Sequence, residues 1–453
     1  MSAPVKANKA GKINLRTPEV MKVVQEEVEN HYRSPVVEYL RYTRGQVTAN
    51  GLTVKLAKAF GFCYGVERAI DLAYASAKVF DGKRIFLLGE IIHNPEVNDQ
   101  LKEMGITSLP ERESGGYDLT GVTPDDVVII PAFGTDVETN ERITELGCQK
   151  VDTTCGDVMT VWRRIKQYTK EGVTSIIHGK AWHEETKATA SYAISKDGST
   201  HYLVVYTLAE TDYVCNYIRH GGDKTEFLKK FEGAYSPGFD PDRHLRAVGV
   251  ANQTTMMRNE TEEVQRRVQQ AIIDRYGEQQ LDNHFRFFDT ICGATQERQD
   301  ALQQMLDSEK MDILIVVGGY NSSNTSHLAE MGEVLLPTYF IKNSEMLVSP
   351  GEIHHWDQHQ NRELVTRDWL PEDREVIVGI TAGASCPNNL IEETIQRLYE
   401  FRGIDVETCL PGNYREALVE EEAKAKEEAK AQKAAQIAAK AAAAKAKAAA
   451  AAR

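Results

Sequence analysis

Three stretches of this chain repeat one another, and that repetition restricts the fold more than any other feature. They are TVKLAKAFGFCYGVERAI, KVDTTCGDVMTVWRRI and FRFFDTICGATQERQDAL, and each reads as a strand running into a cysteine and then a helix. The second and third share Asp-Thr-x-Cys-Gly. After each helix comes an apolar strand ending in a polar loop: RIFLLGEIIHN, TSIIHGKAWHEE and DILIVVGGYNSSN. A further strand and polar loop follow in every copy, as VVIIPAFGTD, AVGVANQTT and VIVGITAGAS. Counting thirty residues on from Cys63, Cys155 and Cys292 reaches His93, Glu185 and Ser322, each in such a loop.

Strands alternating with amphipathic helices predict an α/β fold of parallel sheets, whose ligands bind at the carboxyl ends of the strands. Three like units disposed about a pseudo-threefold axis bring three cysteines and six polar loops to one centre. The pattern divides the chain into an N-terminal helical arm (1–50) and a first unit (51–154). A second unit (155–291) carries extra material at about 191–246, and a third unit with a C-terminal segment spans 292–412. The remainder, 413–453, is rich in Ala, Lys and Glu and lacks a consistent apolar face, so a solvated helical or disordered tail is expected.

A cysteine at a helix start feels the positive end of the helix dipole, which favours the thiolate, a soft metal ligand. Structural zinc sites use closely spaced cysteine pairs and four ligands. Here the spacings are 92 and 137 residues, and three cysteines match. Three thiolates on one [4Fe–4S] cluster leave a fourth iron open, which suits catalysis better than electron carriage alone. Cys148, Cys215 and Cys409 lack this context. Cys386, beside Ser385, is close enough in sequence to the proposed centre to be left undecided.

The formal net charge is −14, and residues 420–453 contribute a small positive part of it, so the body is more acidic still. Such a body argues against nonspecific nucleic-acid binding. No run of about 18 apolar residues suggests a membrane span. Seven widely spaced cysteines and no secretory signal point to a reducing cytoplasm.

The stretches GFCYGVERAI, EIIHNPEVN, DTTCGDV, HEET, ANQTT, DTICGATQERQDA, VVGGYNSSNTSHL and VGITAGAS occur in one order over about residues 53–400. In them the chain resembles the 4-hydroxy-3-methylbut-2-enyl diphosphate reductase (LytB) family, in its plant and cyanobacterial branch. The resemblance implies three α/β lobes around a [4Fe–4S] cluster. It also implies reductive removal of the substrate hydroxyl, the last step of the non-mevalonate isoprenoid pathway, to give isopentenyl and dimethylallyl diphosphates. Cys63, Cys155 and Cys292 then match the cluster ligands, and Glu185 the carboxylate that supplies protons. His183 and Thr254 match residues around the hydroxyl. His93, Ser322, Asn324 and Ser385, with Ser323, match the diphosphate set, and Thr255 shares one of these loops. A ferredoxin- or flavodoxin-type electron donor is implied as partner. Where many bacterial members carry a second diphosphate-contacting histidine, this chain has Phe133, leaving the backbone or a neighbour such as Thr135 to take its place. Quinolinate synthase also sets three cysteines in a threefold α/β scaffold, and HEET and NSSN argue against it.

Overall fold

The structure, a computed structural model, describes residues 15–435 apart from 44, 113–114, 289, 309, 426, 429 and 432–433. Three sheets form its frame, each with four parallel strands in the same order. The first aligns Ile106–Leu109, Ile85–Leu88, Val127–Ile130 and Gln149–Asp152. The second aligns Tyr202–Val205, Thr174–His178, Val248–Asn252 and Phe285–Phe287. In the third, Thr338–Ile341, Ile313–Val317, Val376–Ala382 and Leu52–Leu56 make the parallel part. Antiparallel strands extend that sheet, Gln46–Ala49 on one side and the hairpin Glu352–Asp357 with Arg362–Arg367 on the other. The central strands Val127–Ile130, Thr174–His178 and Ile313–Val317 are buried throughout, as expected where helices cover both faces of a parallel sheet.

The α/β class read from the repeat therefore holds, with two differences. Sequence suggests that the strand before each cysteine opens the unit that follows it. Hydrogen bonding places that strand as the last parallel strand of the preceding sheet, and the cysteine helix then crosses to the next one. For Cys63 the preceding sheet is the third, so the N-terminal strand Leu52–Leu56 pairs with Val376–Ala382 near the other end of the chain. Leu52 and Val54 share a core with Val378, Ile380, Ile391 and Tyr399. The second difference is an outer parallel strand that the sequence pattern does not announce in any unit: Ile106–Leu109, Tyr202–Val205 and Thr338–Ile341. In the middle unit it lies inside the stretch 191–246, which therefore supplies part of the sheet.

The N-terminal arm contains the helices Pro18–Tyr32 and Pro35–Tyr42, each opened by a hydroxyl cap and a proline, Thr17 before Pro18 and Ser34 before Pro35. Tyr32 meets Phe62 edge-on at 5.6 Å, so the arm braces the loop that carries Cys63. The tail departs from the solvated helix expected of it. Its first turns dock, with Tyr414 and Leu418 buried, Tyr414 against Tyr39 at 5.7 Å, and Glu422 ion-paired with Arg33. Residues 436–453 lie outside the described part.

The closure of the N-terminal hairpin onto the C-terminal helix Asn388–Glu400 can be measured. The Tyr399 hydroxyl donates to the Val47 carbonyl at 2.7 Å in a fully buried setting. Tyr399→Phe removes the side-chain donor to that carbonyl, which keeps its place in the ladder opposite Val54, and is expected to cost about 1 kcal/mol in denaturant titrations.

Candidate active site

The helices Tyr64–Val79 and Gly156–Lys170 have Cys63 and Cys155 as N-caps, and Cys292 directly precedes Gly293–Ser308. One backbone contact recurs at all three. The N–H of Cys63 donates to Ala384 O at 3.2 Å, that of Cys155 to Ala132 O at 2.8 Å, and that of Cys292 to Thr254 O at 3.2 Å. Each acceptor belongs to the loop after the third strand of the sheet that the cysteine's own strand completes. The three thiols thereby line one cavity of about 110 Å³. The approach is close: a Cβ on Gly65 would stand 2.5 Å from Sγ of Cys155 and 3.8 Å from Sγ of Cys63. Glycine is required there because any side chain would fill the space between two sulfurs.

The residues thirty positions on line the same cavity, and each meets a third-strand loop. His93 stacks on Phe133 with centroids 4.7 Å apart. Ser385 Oγ lies 3.4 Å from Ser322 Oγ and donates to the His93 carbonyl at 3.1 Å. Glu185 accepts from the backbone N–H of Thr254 at 2.6 Å and from its hydroxyl at 2.9 Å. Only 3 % of Glu185 is exposed, and this burial pushes its carboxyl up to about 7 against the pull of the two Thr254 bonds. His183, the N-cap of Glu184–Ser191, accepts the Glu185 N–H on Nδ1 at 3.1 Å. Burial holds this imidazole well below its ordinary value, so it is neutral and carries its proton on Nε2.

Several buried polar atoms on the cavity residues have no partner: Nε2 of His93, Nε2 of His183, Oγ of Ser323 and Nδ2 of Asn324. Nε2 of His183, Oγ of Ser323 and Nδ2 of Asn324 can donate, while the His93 ring also sets Nδ1 3.1 Å from Glu90 Oε2; Asn324 is oriented by its Oδ1 accepting from Ala384 N at 2.9 Å. Ser322 caps Ser323–Glu333, so the positive end of that helix points the same way. Orphaned donors in one place describe a receptor for an oxyanion rich in acceptors.

The thiols differ from expectation. Helix dipoles were expected to favour thiolates, yet burial pushes the Cys155 thiol up and that of Cys292 up to about 12, with the nearby Asp157 carboxylate adding to the latter. Burial wins because the positive helix end acts through a few N–H groups, such as Thr295 N toward Cys292, while the whole side chain loses water. A metal must displace those protons on binding. Every residue of the sequence-derived set (Cys63, His93, Cys155, His183, Glu185, Thr254, Cys292, Ser322, Ser323, Asn324 and Ser385) lines the cavity, as does Thr255. Thr135 does not; it faces a separate cleft and donates to Asp136 at 3.4 Å. Cys386 is a core residue, fully buried among Phe60, Leu390 and Ile391. Asp157 and Glu184, whose Oε2 lies 3.5 Å from Nε2 of His93, escaped the sequence reading. Both adjoin matched residues, at offsets of two from Cys155 and one from Glu185.

A carboxyl raised from 4.5 to about 7 costs stability once it must ionise. The folded state binds the extra proton between the unfolded value and about 7, so stability falls as pH rises through that window. In protein freed of metal, Glu185→Gln is expected to be the more stable form above pH 7, by up to roughly 3 kcal/mol. The two should converge near pH 4, and parallel melting curves at all pH values would refute the assignment.

The profile of the LytB protein family matches residues 54–399. A 4-hydroxy-3-methylbut-2-enyl diphosphate reductase of Thermosynechococcus vestitus is 44% identical over 382 residues, covering 84% of this chain and 92% of that protein. A reductase of the same name from Gloeobacter violaceus is 46% identical over 385 residues, covering 84% and 90%. The solved E-1-hydroxy-2-methyl-but-2-enyl-4-diphosphate reductase of Plasmodium falciparum has the same fold, with a TM-score of 0.54 at 21% identity over 76% of this chain and 86% of that one. The chain belongs to the LytB family.

Proposed function

We propose that this cavity reduces 4-hydroxy-3-methylbut-2-enyl diphosphate to isopentenyl and dimethylallyl diphosphates. The observation that carries the reading is the meeting, in one cavity, of three thiols from three sheets, a buried carboxyl near neutrality and a set of unpaired donors. The donor set fits a [4Fe–4S] cluster. Three soft sulfurs face a space kept clear by Gly65, and among the described residues no fourth cysteine lines it. Cys63, Cys155 and Cys292 would hold the cluster, which when bound supplies electrons and an iron without a protein ligand.

The protein's own part is binding and proton handling. Losing the substrate hydroxyl as water takes two electrons and two protons. Glu185, half protonated near pH 7, is suited to give a proton to the departing oxygen, and Thr254 fixes the carboxyl's direction. Neutral His183 offers Nε2–H to the same region. His93, Ser322, Ser323, Asn324 and Ser385 grip the diphosphate by hydrogen bonds; among the described residues no Lys or Arg lines the cavity, so recognition rests on these polar side chains and one helix start. Phe133 replaces a histidine contact with a flat face that holds the His93 ring.

Tyr64, Gly156, Asp157 and Gly293 are exposed around the three cysteine helix starts. That opening suits electron entry from a ferredoxin- or flavodoxin-type donor. Seven unbridged cysteines accord with a reducing compartment such as the cytoplasm. Among the described residues no helix is long and apolar enough to cross a membrane.

Anaerobically purified protein should be brown, carry about four irons per chain and reduce the hydroxylated diphosphate with a chemical reductant. A colourless protein holding one zinc after anaerobic reconstitution would falsify the reading. Glu185→Gln should retain cluster and substrate binding and slow turnover by on the order of 10². In the wild type, turnover should fall as pH rises above about 7, where the carboxyl loses its proton.

A further inference from the structure

Arg298 lies in the helix that follows Cys292, and only 4 % of it is exposed. Its guanidinium spans two of the cysteine segments. Nε and Nη2 donate to Gly61 O at 3.2 and 2.5 Å, Nη2 also to Phe62 O at 3.2 Å, and Nη1 to Ala294 O at 2.8 Å. Gly61 and Phe62 lead directly into Cys63, and Ala294 opens the helix after Cys292. The residue thus ties the first and third thiols together across a separation of more than two hundred residues in sequence.

Every one of these acceptors is a neutral carbonyl. Among the described residues no carboxylate forms an ion pair with Arg298. A buried cation held only by carbonyl hydrogen bonds, with no carboxylate in contact, is costly. The negative groups that oppose the desolvation of Arg298 are led by Cys63, followed by Glu297, Cys292 and Glu67 at longer range, and two of the four are the thiols of the centre. Both thiols become anionic when they bind metal.

We infer that Arg298 is a positioning residue whose counter-ion is the thiolate-bound cluster: it sets Cys63 against Cys292 and its fixed charge favours the reduced state. The inference rests on the cluster reading above. Adding an electron makes the centre more negative, and a cation held nearby in a low-dielectric setting stabilises that change. A plain structural tie would hold the loop without affecting the potential.

The test is a potentiometric titration of anaerobically reconstituted wild type, Arg298→Lys and Arg298→Met, followed by visible and electron paramagnetic resonance spectra. Arg298→Met should move the midpoint potential to a more negative value, while Arg298→Lys, which keeps the charge, stays nearer the wild type. Both variants should lose iron faster to a chelator, since neither retains the planar fork that binds Gly61 and Phe62. Arg298→Gln keeps N–H donors without the charge and gives the same reading if Arg298→Met does not fold. An unchanged midpoint in the neutral variants, with full iron content, overturns the inference while leaving the cluster reading intact. A wild type that takes up no iron–sulfur cluster overturns both.

Discussion

Everything at the centre depends on one backbone contact made three times, the cysteine N–H donating to the loop that ends the third strand of the sheet before it. Taken singly such a bond stabilises by about 1 kcal/mol. Its effect lies in geometry. The same loop that holds Cys155 through Ala132 presents Phe133 to His93, and Thr254 receives Cys292 while binding Glu185. In the third sheet Ala384 receives Cys63 and Ser385 reaches Ser322. Each proposed metal ligand and each proposed substrate-facing group is therefore referred to a common loop, and a shift in any sheet moves both kinds of residue together.

The electrostatics of the protein groups at the centre are those of a site kept nearly neutral. Burial holds protons on Cys155, Cys292 and, near pH 7, Glu185, and removes one from His183. Desolvation is the first cause at all four groups, and hydrogen bonds only moderate it. Such a site resists isolated charge and accepts charge that arrives compensated. That preference suits a cluster whose iron neutralises its own thiolates and a diphosphate met by many donors.

Much of the site was readable because the repeat fixes spacing, and spacing survives folding. The offset of thirty residues found His93, Glu185 and Ser322, since strand, helix and strand lengths are conserved among the three units. Edge strands such as Ile106–Leu109 were missed because their outward residues are polar and their pairing is not a compositional property. The hand-over of Leu52–Leu56 to the third sheet was equally hidden, as apolar patterning names a strand without naming its neighbour. Thiol acidity was misjudged because depth of burial cannot be counted along a chain. Arg298 reaches its partners with a long side chain across more than two hundred residues, beyond any local pattern. Cys386 shows the converse, where nearness in sequence to Ser385 suggested a role and the core holds it.

The strand Leu52–Leu56 is made early and is used late, since its partner Val376–Ala382 leaves the ribosome more than three hundred residues afterwards. Until then the first thiol has a helix but no anchored strand leading into it, and the Ala384 carbonyl that receives its N–H has not been synthesised. The nascent chain can complete the first and second sheets in order, yet it cannot present three sulfurs to one metal centre. Loading of the proposed cluster would thereby be deferred to a nearly finished molecule, in which the last sheet to close also joins an early strand to a late one.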